Sequence, residues 1–154
     1  MLNPLHRLFQ NVSLKKTFKK DEKLRSRSLI DRLFKRGNPE VQTFYGFPFR
    51  VLYIKEEGGR EIGEGQHAPT PPLPHPQVLV SVSKRNFKRA VDRNLIRRRC
   101  REAYRLHKHL LTENPQASSP SSVAFLYLAK EISPYDVIEK AMVKILQKMA
   151  DSGY

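Results

Sequence analysis

Residues 84–108 read Lys84-Arg-Asn-Phe-Lys-Arg-Ala-Val-Asp-Arg-Asn-Leu-Ile-Arg-Arg-Arg-Cys-Arg-Glu-Ala-Tyr-Arg-Leu-His-Lys108. Eleven basic residues stand here against Asp92 and Glu102, so this stretch alone carries +9 of the chain's net +14. No Gly or Pro interrupts it from Asp92 until Pro115, and most of its residues favour helix. At about 100° per residue, Ile96, Cys100, Ala103, His107 and Leu110 fall on one side, while Arg93, Arg97, Arg101, Arg105 and Lys108 fall on another. Asp92 is the expected N-cap, its carboxylate at the positive end of the helix. The pattern predicts a long helix with one face for a core and one for an anionic partner.

Arginines at i, i+4 repel, by roughly 0.2–0.5 kcal/mol per pair in an isolated helix. A merely solvated face would mix lysine with glutamate. The planar guanidinium fork matches phosphate, so a one-sided arginine stripe points to a polyphosphate. A membrane surface or a calmodulin-like partner would need bulky apolar residues opposite the charge. Cys100, Ala103 and His107 stand there instead and suit packing on a sheet. Nucleic acid is the expected partner.

Outward from this stretch, 154 residues are enough for one domain with a single core. A second basic block, residues 15–36, carries ten Lys and Arg against three acids, a net of +7. The sequence pI of about 10.2 matches a nucleic-acid binder with two contact surfaces. Cys100 is the single cysteine, which excludes a disulfide and any cysteine-based zinc site. No apolar run approaches the roughly 18 residues of a membrane span, and the N-terminal leucines are too scattered for a secretory signal. A cytoplasmic protein that does not engage membranes is expected.

In chain order, residues 1–17 read as a loose basic extension and 18–150 as the domain. Leu29, Ile30, Leu33 and Phe34 form the apolar stripe of a short helix over roughly 26–36, with Ser26 or Ser28 to cap it and Gly37 to stop it. The aromatic and β-branched run from Val41 to Lys55 predicts strands near 42–46 and 48–55, divided at Gly46 and Pro48. Residues 56–76 are rich in Gly and Pro and predict a flexible loop. Val78–Ser83 reads as a buried strand, 114–122 as a Pro/Ser linker and Val123–Ala129 as the last strand. Ser133-Pro-Tyr-Asp opens a final helix, with the serine as cap and the proline at its first position. Ile138, Met142, Ile145 and Met149 supply that helix's buried face. The order α-β-β-β-α-β-α predicts an α+β fold, an α/β sandwich with helices on one four-stranded sheet.

A nucleophile with its base, paired carboxylates or metal ligands at chelating spacing would mark an enzyme acting alone. His107 and His109 lie two apart on a helix and cannot chelate one ion, and His107 reads as a core-edge residue. His67, His75 and the acidic residues Glu56, Glu57, Glu61 and Glu64 lie in or beside the Gly/Pro-rich loop. Cys100 falls on the apolar side, and no Gly-rich phosphate cradle precedes a helix. No catalytic residue and no metal site is expected in the protein. Among the aromatics Phe44, Tyr45, Phe47, Phe49 and Tyr53, alternation sends about half to the core and half to the other surface, where they could stack bases.

Three segments carry a resemblance. The first is Phe18, Leu24-Arg25 and Arg32-Leu-Phe-Lys-Arg-Gly37. The second, and most specific, is Val80-Ser-Val-Ser-Lys-Arg85 with Ala90-Val-Asp-Arg-Asn-Leu-Ile-Arg-Arg-Arg-Cys-Arg-Glu-Ala-Tyr-Arg105. The third is Lys130-Glu-Ile-Ser-Pro-Tyr135. Together they resemble the protein subunit of bacterial ribonuclease P. The middle segment is similar to that family's Ser-x-Ser-Lys, Ala-Val-x-Arg-Asn-Arg-Ile-Lys-Arg and Arg-Glu-Ala-Phe/Tyr-Arg. Leu95 stands in place of the family's second motif arginine, so no phosphate contact is assigned to it. The turn Arg85-Asn-Phe-Lys-Arg89 is about one residue longer than the commonest form and lacks its Gly.

The resemblance implies a protein cofactor of an RNA-based endoribonuclease that removes the 5′ leader of precursor tRNA. In this family the catalytic RNA subunit performs the hydrolysis and holds most of the Mg2+. By the same resemblance Ser83, Lys84, Arg93, Asn94, Arg97, Arg98 and Arg101 contact the catalytic RNA. A cleft between the sheet and the first helix takes the leader, lined by Phe34 and Tyr53 with Phe18 and Arg25 nearby. Ile30 stands where aromatics are common. A left-handed connection through the long helix is implied as well, against the usual rule. No obligate protein partner is implied. From the residues alone, a ribosomal or ribosome-assembly RNA-binding protein remains the alternative in the binding class. A protein-only nuclease, which would need clustered carboxylates, is the alternative in the enzyme class.

Overall fold

The computed structural model describes residues 17–55, 76–111 and 120–151. Most of the predicted 56–76 loop, of the 1–17 extension and of the 114–122 linker lies outside these residues. Three helices and four strands follow in the predicted order: α1 (Arg27–Phe34), β1 (Val41–Gly46), β2 (Phe49–Ile54), β3 (Gln77–Val82), α2 (Ala90–His107), β4 (Ser122–Tyr127) and α3 (Tyr135–Asp151). Short 3-10 turns occupy Lys20–Glu22 and Lys108–Leu111.

The strands form one sheet in the order β1-β2-β4-β3. β1 with β2 and β2 with β4 are antiparallel, whereas β3 and β4 are parallel and joined through α2. Alternation divides the side chains between two faces. Phe49, Val51, Tyr53, Val78, Val80, Val82, Val123, Phe125 and Tyr127 pack into the larger core with Ile96, Cys100, Ala103 and Tyr104 of α2. From α3 the same core receives Ile138, Met142, Ile145, Leu146 and Met149. The opposite face carries a smaller core, in which Leu52, Ile54 and Ala124 meet Leu24 and Leu33.

Local details depart from the sequence pattern in instructive ways. The long helix starts at Ala90 with Arg89 in the cap position, so Asp92 lies in the first turn and is not the cap. It still sits near the positive helix end, where a carboxylate is favourable. Tyr104, which the apolar stripe omitted, is almost fully buried, while His107 and Leu110 are only half-buried. Ser26 stands in the cap position of α1, but its hydroxyl bonds the Ser28 hydroxyl at 2.9 Å instead of capping. Gly37, just beyond α1, has φ +74°, a conformation that favours glycine.

Two further glycine and serine positions are decided by packing. A Cβ at Gly46 would lie 3.1 Å from Ile145, so glycine there lets α3 approach the hairpin closely. Ser133 does not cap α3, whose first residue is Tyr135 rather than Pro134. Its hydroxyl accepts from the Tyr127 hydroxyl at 2.8 Å, and its N–H donates to the same phenol at 2.9 Å. Its carbonyl accepts from the Arg99 guanidinium at 2.8 Å, joining α2, β4 and the start of α3 at one buried point.

Candidate nucleic-acid interface

The helix α2 separates its arginines by what its two long sides meet. Ile96, Cys100, Ala103 and Tyr104 anchor it on the sheet, so its other side faces solvent for most of its 18 residues. Arg98 and Arg101 are exposed there, and Arg97 is half-exposed with one nitrogen 3.3 Å from the Asn94 amide oxygen. Ser83, Lys84 and Asn94 are exposed as well. These six residues of the predicted RNA-contacting set lie on one helix and on the turn that leads into it.

Other cations of the same stretch have internal roles. The guanidinium of Arg93 donates to the carbonyls of Phe87 and Lys88, both at 2.8 Å. It therefore clamps the turn before the helix. Phe87 is buried in that turn and packs on Tyr127 with ring centroids 5.8 Å apart. The Ser83 hydroxyl accepts from the Arg85 N–H at 3.1 Å, and the Ser83 carbonyl from the Phe87 N–H at 3.1 Å. The longer turn without its glycine is thus held by an aromatic anchor and an arginine clamp. Arg105 pairs with Glu102 at 2.6 Å, and His107 bonds Glu139 at 2.9 Å.

At the far end of the helix, Lys108 ties down the start of the domain. Its ammonium donates to Glu22 at 2.6 Å and to the Thr17 carbonyl at 2.5 Å. Glu22 is 3% exposed, and its second oxygen accepts from the Lys19 N–H at 2.6 Å. Breaking such a buried pair leaves an uncompensated charge, so it fixes the path of residues 17–24. That path runs beside β3, where the Leu24 N–H bonds the Val78 carbonyl at 3.0 Å. Phe18 packs edge-on against Tyr104, centroids 5.7 Å apart, and Lys23 lies over its ring. Burial, with the Glu22 carboxylate nearby, pushes the Tyr104 phenol well above its usual range. The Tyr104 hydroxyl is buried without a hydrogen-bond partner among the described residues.

The four residues expected to line a cleft beside the first helix are not brought together. Tyr53 is 4% exposed and belongs to the core beneath α2 and α3, with Phe44 edge-on at 5.9 Å. Phe18 packs against the same core. Phe34, 42% exposed, is on α1, which covers the other face, and Arg25 is exposed just before that helix. Tyr53 therefore cannot face α1. Its neighbours Leu52 and Ile54 do, because alternation along β2 admits only one parity on each side.

Beside α1 the sheet leaves an open strip that the sequence reading missed. Arg50 lies between the core residues Phe49 and Val51, so its side chain is on the α1 face. Register sets Tyr45, Arg50, Leu126 and Ser81 in one row across all four strands. None of the four is buried, and Tyr45 is 66% exposed. The Arg50 guanidinium lies over the Tyr45 ring at 5.7 Å, and its Nε is buried without a partner among the described residues. The signal was in the alternation of Phe49, Arg50, Val51, Leu52 and Tyr53, where a charged residue interrupts an apolar strand.

Among the described residues, no group of three or more His, Cys, Asp or Glu is arranged to hold a metal ion, and no helix is long and apolar enough to cross a membrane. Cys100 is buried, and burial pushes its thiol up to about 12. The exposed chemistry of these elements is cationic and aromatic.

The family model described as Ribonuclease P matches residues 18–150. Proteins named "Ribonuclease P protein component" from two strains of Porphyromonas gingivalis are each 35% identical over 132 residues, covering 85% of this chain and 85% of theirs. The ribonuclease P protein component of Yersinia enterocolitica is 35% identical over 77 residues, 50% of this chain and 56% of that one. With its arginine-faced helix, its four-stranded sheet and a match over nearly all of the domain, the chain belongs to the ribonuclease P protein component family.

Proposed function

We propose that this protein binds the catalytic RNA of ribonuclease P and the 5′ leader of precursor tRNA, and so supports endonucleolytic maturation in the cytoplasm. The observation that carries this reading is the solvent-facing side of α2, where Arg97, Arg98 and Arg101 have no carboxylate partner among the described residues. Their guanidinium groups, with Ser83, Lys84 and Asn94, take phosphates and 2′-hydroxyls of the catalytic RNA. Arg93 positions the turn that presents Ser83 and Lys84. Leu95 is half-buried on the same helix and adds no phosphate contact.

The leader runs along the α1 side of the sheet. Arg25 flanks it from just before α1 and Phe34 from the end of that helix, and Arg50 takes the place that the family resemblance gave to Tyr53. Backbone neutralisation and base stacking both tolerate varied sequence, as a subunit serving many precursors requires. In this reading the magnesium ions that drive phosphodiester hydrolysis are held mainly by the RNA, as the family resemblance implies. The protein contributes positive charge, which lowers the magnesium needed to bring two polyanions together.

The test is precursor-tRNA cleavage at low magnesium with the matching RNA alone, the protein alone and both together. Cleavage only in the mixture is the expected result. An unchanged rate with folded protein present would overturn the proposal and favour a ribosome-assembly role. Cleavage by the protein alone would place the chemistry in the chain.

A further inference from the structure

The open strip beside α1 has two ends with different surroundings. At β3 it begins at Ser81, two residues before Ser83 and three before Lys84, where the proposed catalytic-RNA surface starts. From Ser81 it crosses Leu126 and Arg50 to Tyr45 on the outermost strand. With inter-strand spacings of about 4.8 Å, the row is roughly 14 Å wide. Just past Tyr45 the β1–β2 hairpin turns at Phe47, which is 77% exposed. The turn is not loose: the Leu128 N–H donates to the Pro48 carbonyl at 2.8 Å, which ties it to the end of β4.

Large exposed aromatics on a defined turn beside a half-buried arginine make a stacking platform with an adjacent phosphate ligand. Core packing does not account for them. Phe44 and Phe49, on either side, are directed into the core, whereas Tyr45 and Phe47 are left out of it. A peptide or membrane partner fits poorly, since the strip's one charged group is cationic and lies on a chain of net +14.

We propose that the β1–β2 hairpin, through Tyr45 and Phe47, is an outer binding site for an unpaired base of the precursor leader. This rests on the leader path proposed above. Bound RNA enters the strip at Ser81, next to the catalytic-RNA surface, and crosses Arg50, whose half-exposed guanidinium meets a phosphate. It leaves over the hairpin with its 5′ end outermost. The hairpin therefore contacts a leader nucleotide farther from the cleavage site than the one that Arg50 contacts.

The test uses the reconstituted protein–RNA complex and precursors whose leaders are shortened from the 5′ end one nucleotide at a time. Phe47→Ala should weaken binding of the long-leader precursor by roughly 5- to 100-fold, the range for removing one stacking aromatic. That loss should vanish once the leader is too short to reach the hairpin, and Phe47→Tyr should restore affinity. Thermal melting of each variant separates this effect from misfolding. If wild-type affinity depends on leader length but Phe47→Ala follows the same curve, the hairpin contact is overturned alone. It is equally overturned if Phe47→Ala weakens binding of the catalytic RNA without precursor, or if its effect persists at every leader length. If wild-type affinity is indifferent to leader length, the leader path falls with it.

Discussion

The two faces of the sheet come from alternate residues of the same four strands, yet one is sealed and the other is half open. The sealed face lies under α2 and α3, of 18 and 17 residues, each roughly 25 Å long at about 1.5 Å per residue. Among the described residues the one helix on the other face is α1, whose 8 residues extend about 12 Å. A sheet of four six-residue strands measures roughly 14 by 20 Å. Two long helices cover such a surface and one short helix cannot. Cover length, more than strand composition, sets which face is core and which is available to a ligand.

The largest expected effect is on the sealed side. Phe125→Ala should cost about 3–5 kcal/mol, the usual range for a buried phenylalanine, read from denaturant unfolding. Tyr53→Ala belongs with it. Because Tyr53 lies in this core, its loss should appear chiefly as instability. A stable Tyr53→Ala protein that had lost only precursor affinity would break the distinction between the faces.

On the solvent side of α2, Arg97→Ala with Arg101→Ala should leave stability within about 0.5 kcal/mol. It should weaken catalytic-RNA binding by roughly 100-fold, at about 1.5 kcal/mol for each charged hydrogen bond lost. The slope of log affinity against log salt should become shallower by about two units. An unaltered slope would remove phosphate contact from this face. On the open strip, Arg50→Gln should weaken precursor binding about tenfold while sparing binding of the RNA subunit. Equal losses in both assays would mean that the two surfaces are not separate.

Two smaller effects sharpen the picture of the sealed core. Tyr104→Phe removes a buried hydroxyl that has no hydrogen-bond partner among the described residues, so stability should hold or rise by up to about 1 kcal/mol. A loss of 2 kcal/mol would reveal a hidden partner. Cys100 should resist thiol reagents at pH 8 until the protein unfolds, because burial raises its thiol from 9.0 to about 12. A raised pKa favours the folded state fully below pH 9 and progressively less as the pH climbs toward 12.

Much of this fold was legible in the chain. The element order, the amphipathic pattern of α2 and the buried face of α3 follow from spacing, because helical periodicity and alternation are local consequences of backbone geometry. Several site details were not. Asp92 reads as a cap, but the chain enters the helix at Ala90 once Phe87 has docked on Tyr127. Ser133 reads as a cap as well, but the Tyr127 phenol and the Arg99 guanidinium engage it first. Tyr53 was assigned to the cleft by resemblance, although the parity of β2 sends it to the other face.

The sequence by itself determined the arginine face, because charge and periodicity survive without a partner strand, and its motifs pointed to the family. Only the tertiary structure decided which arginines are free and which clamp a carbonyl, and which aromatics face the open strip. Those outcomes depend on groups far apart in the chain, as when Lys108 meets Glu22 or Arg50 comes to lie beside Leu126. A hydrogen bond or a strand register between distant segments exists only after the sheet has closed.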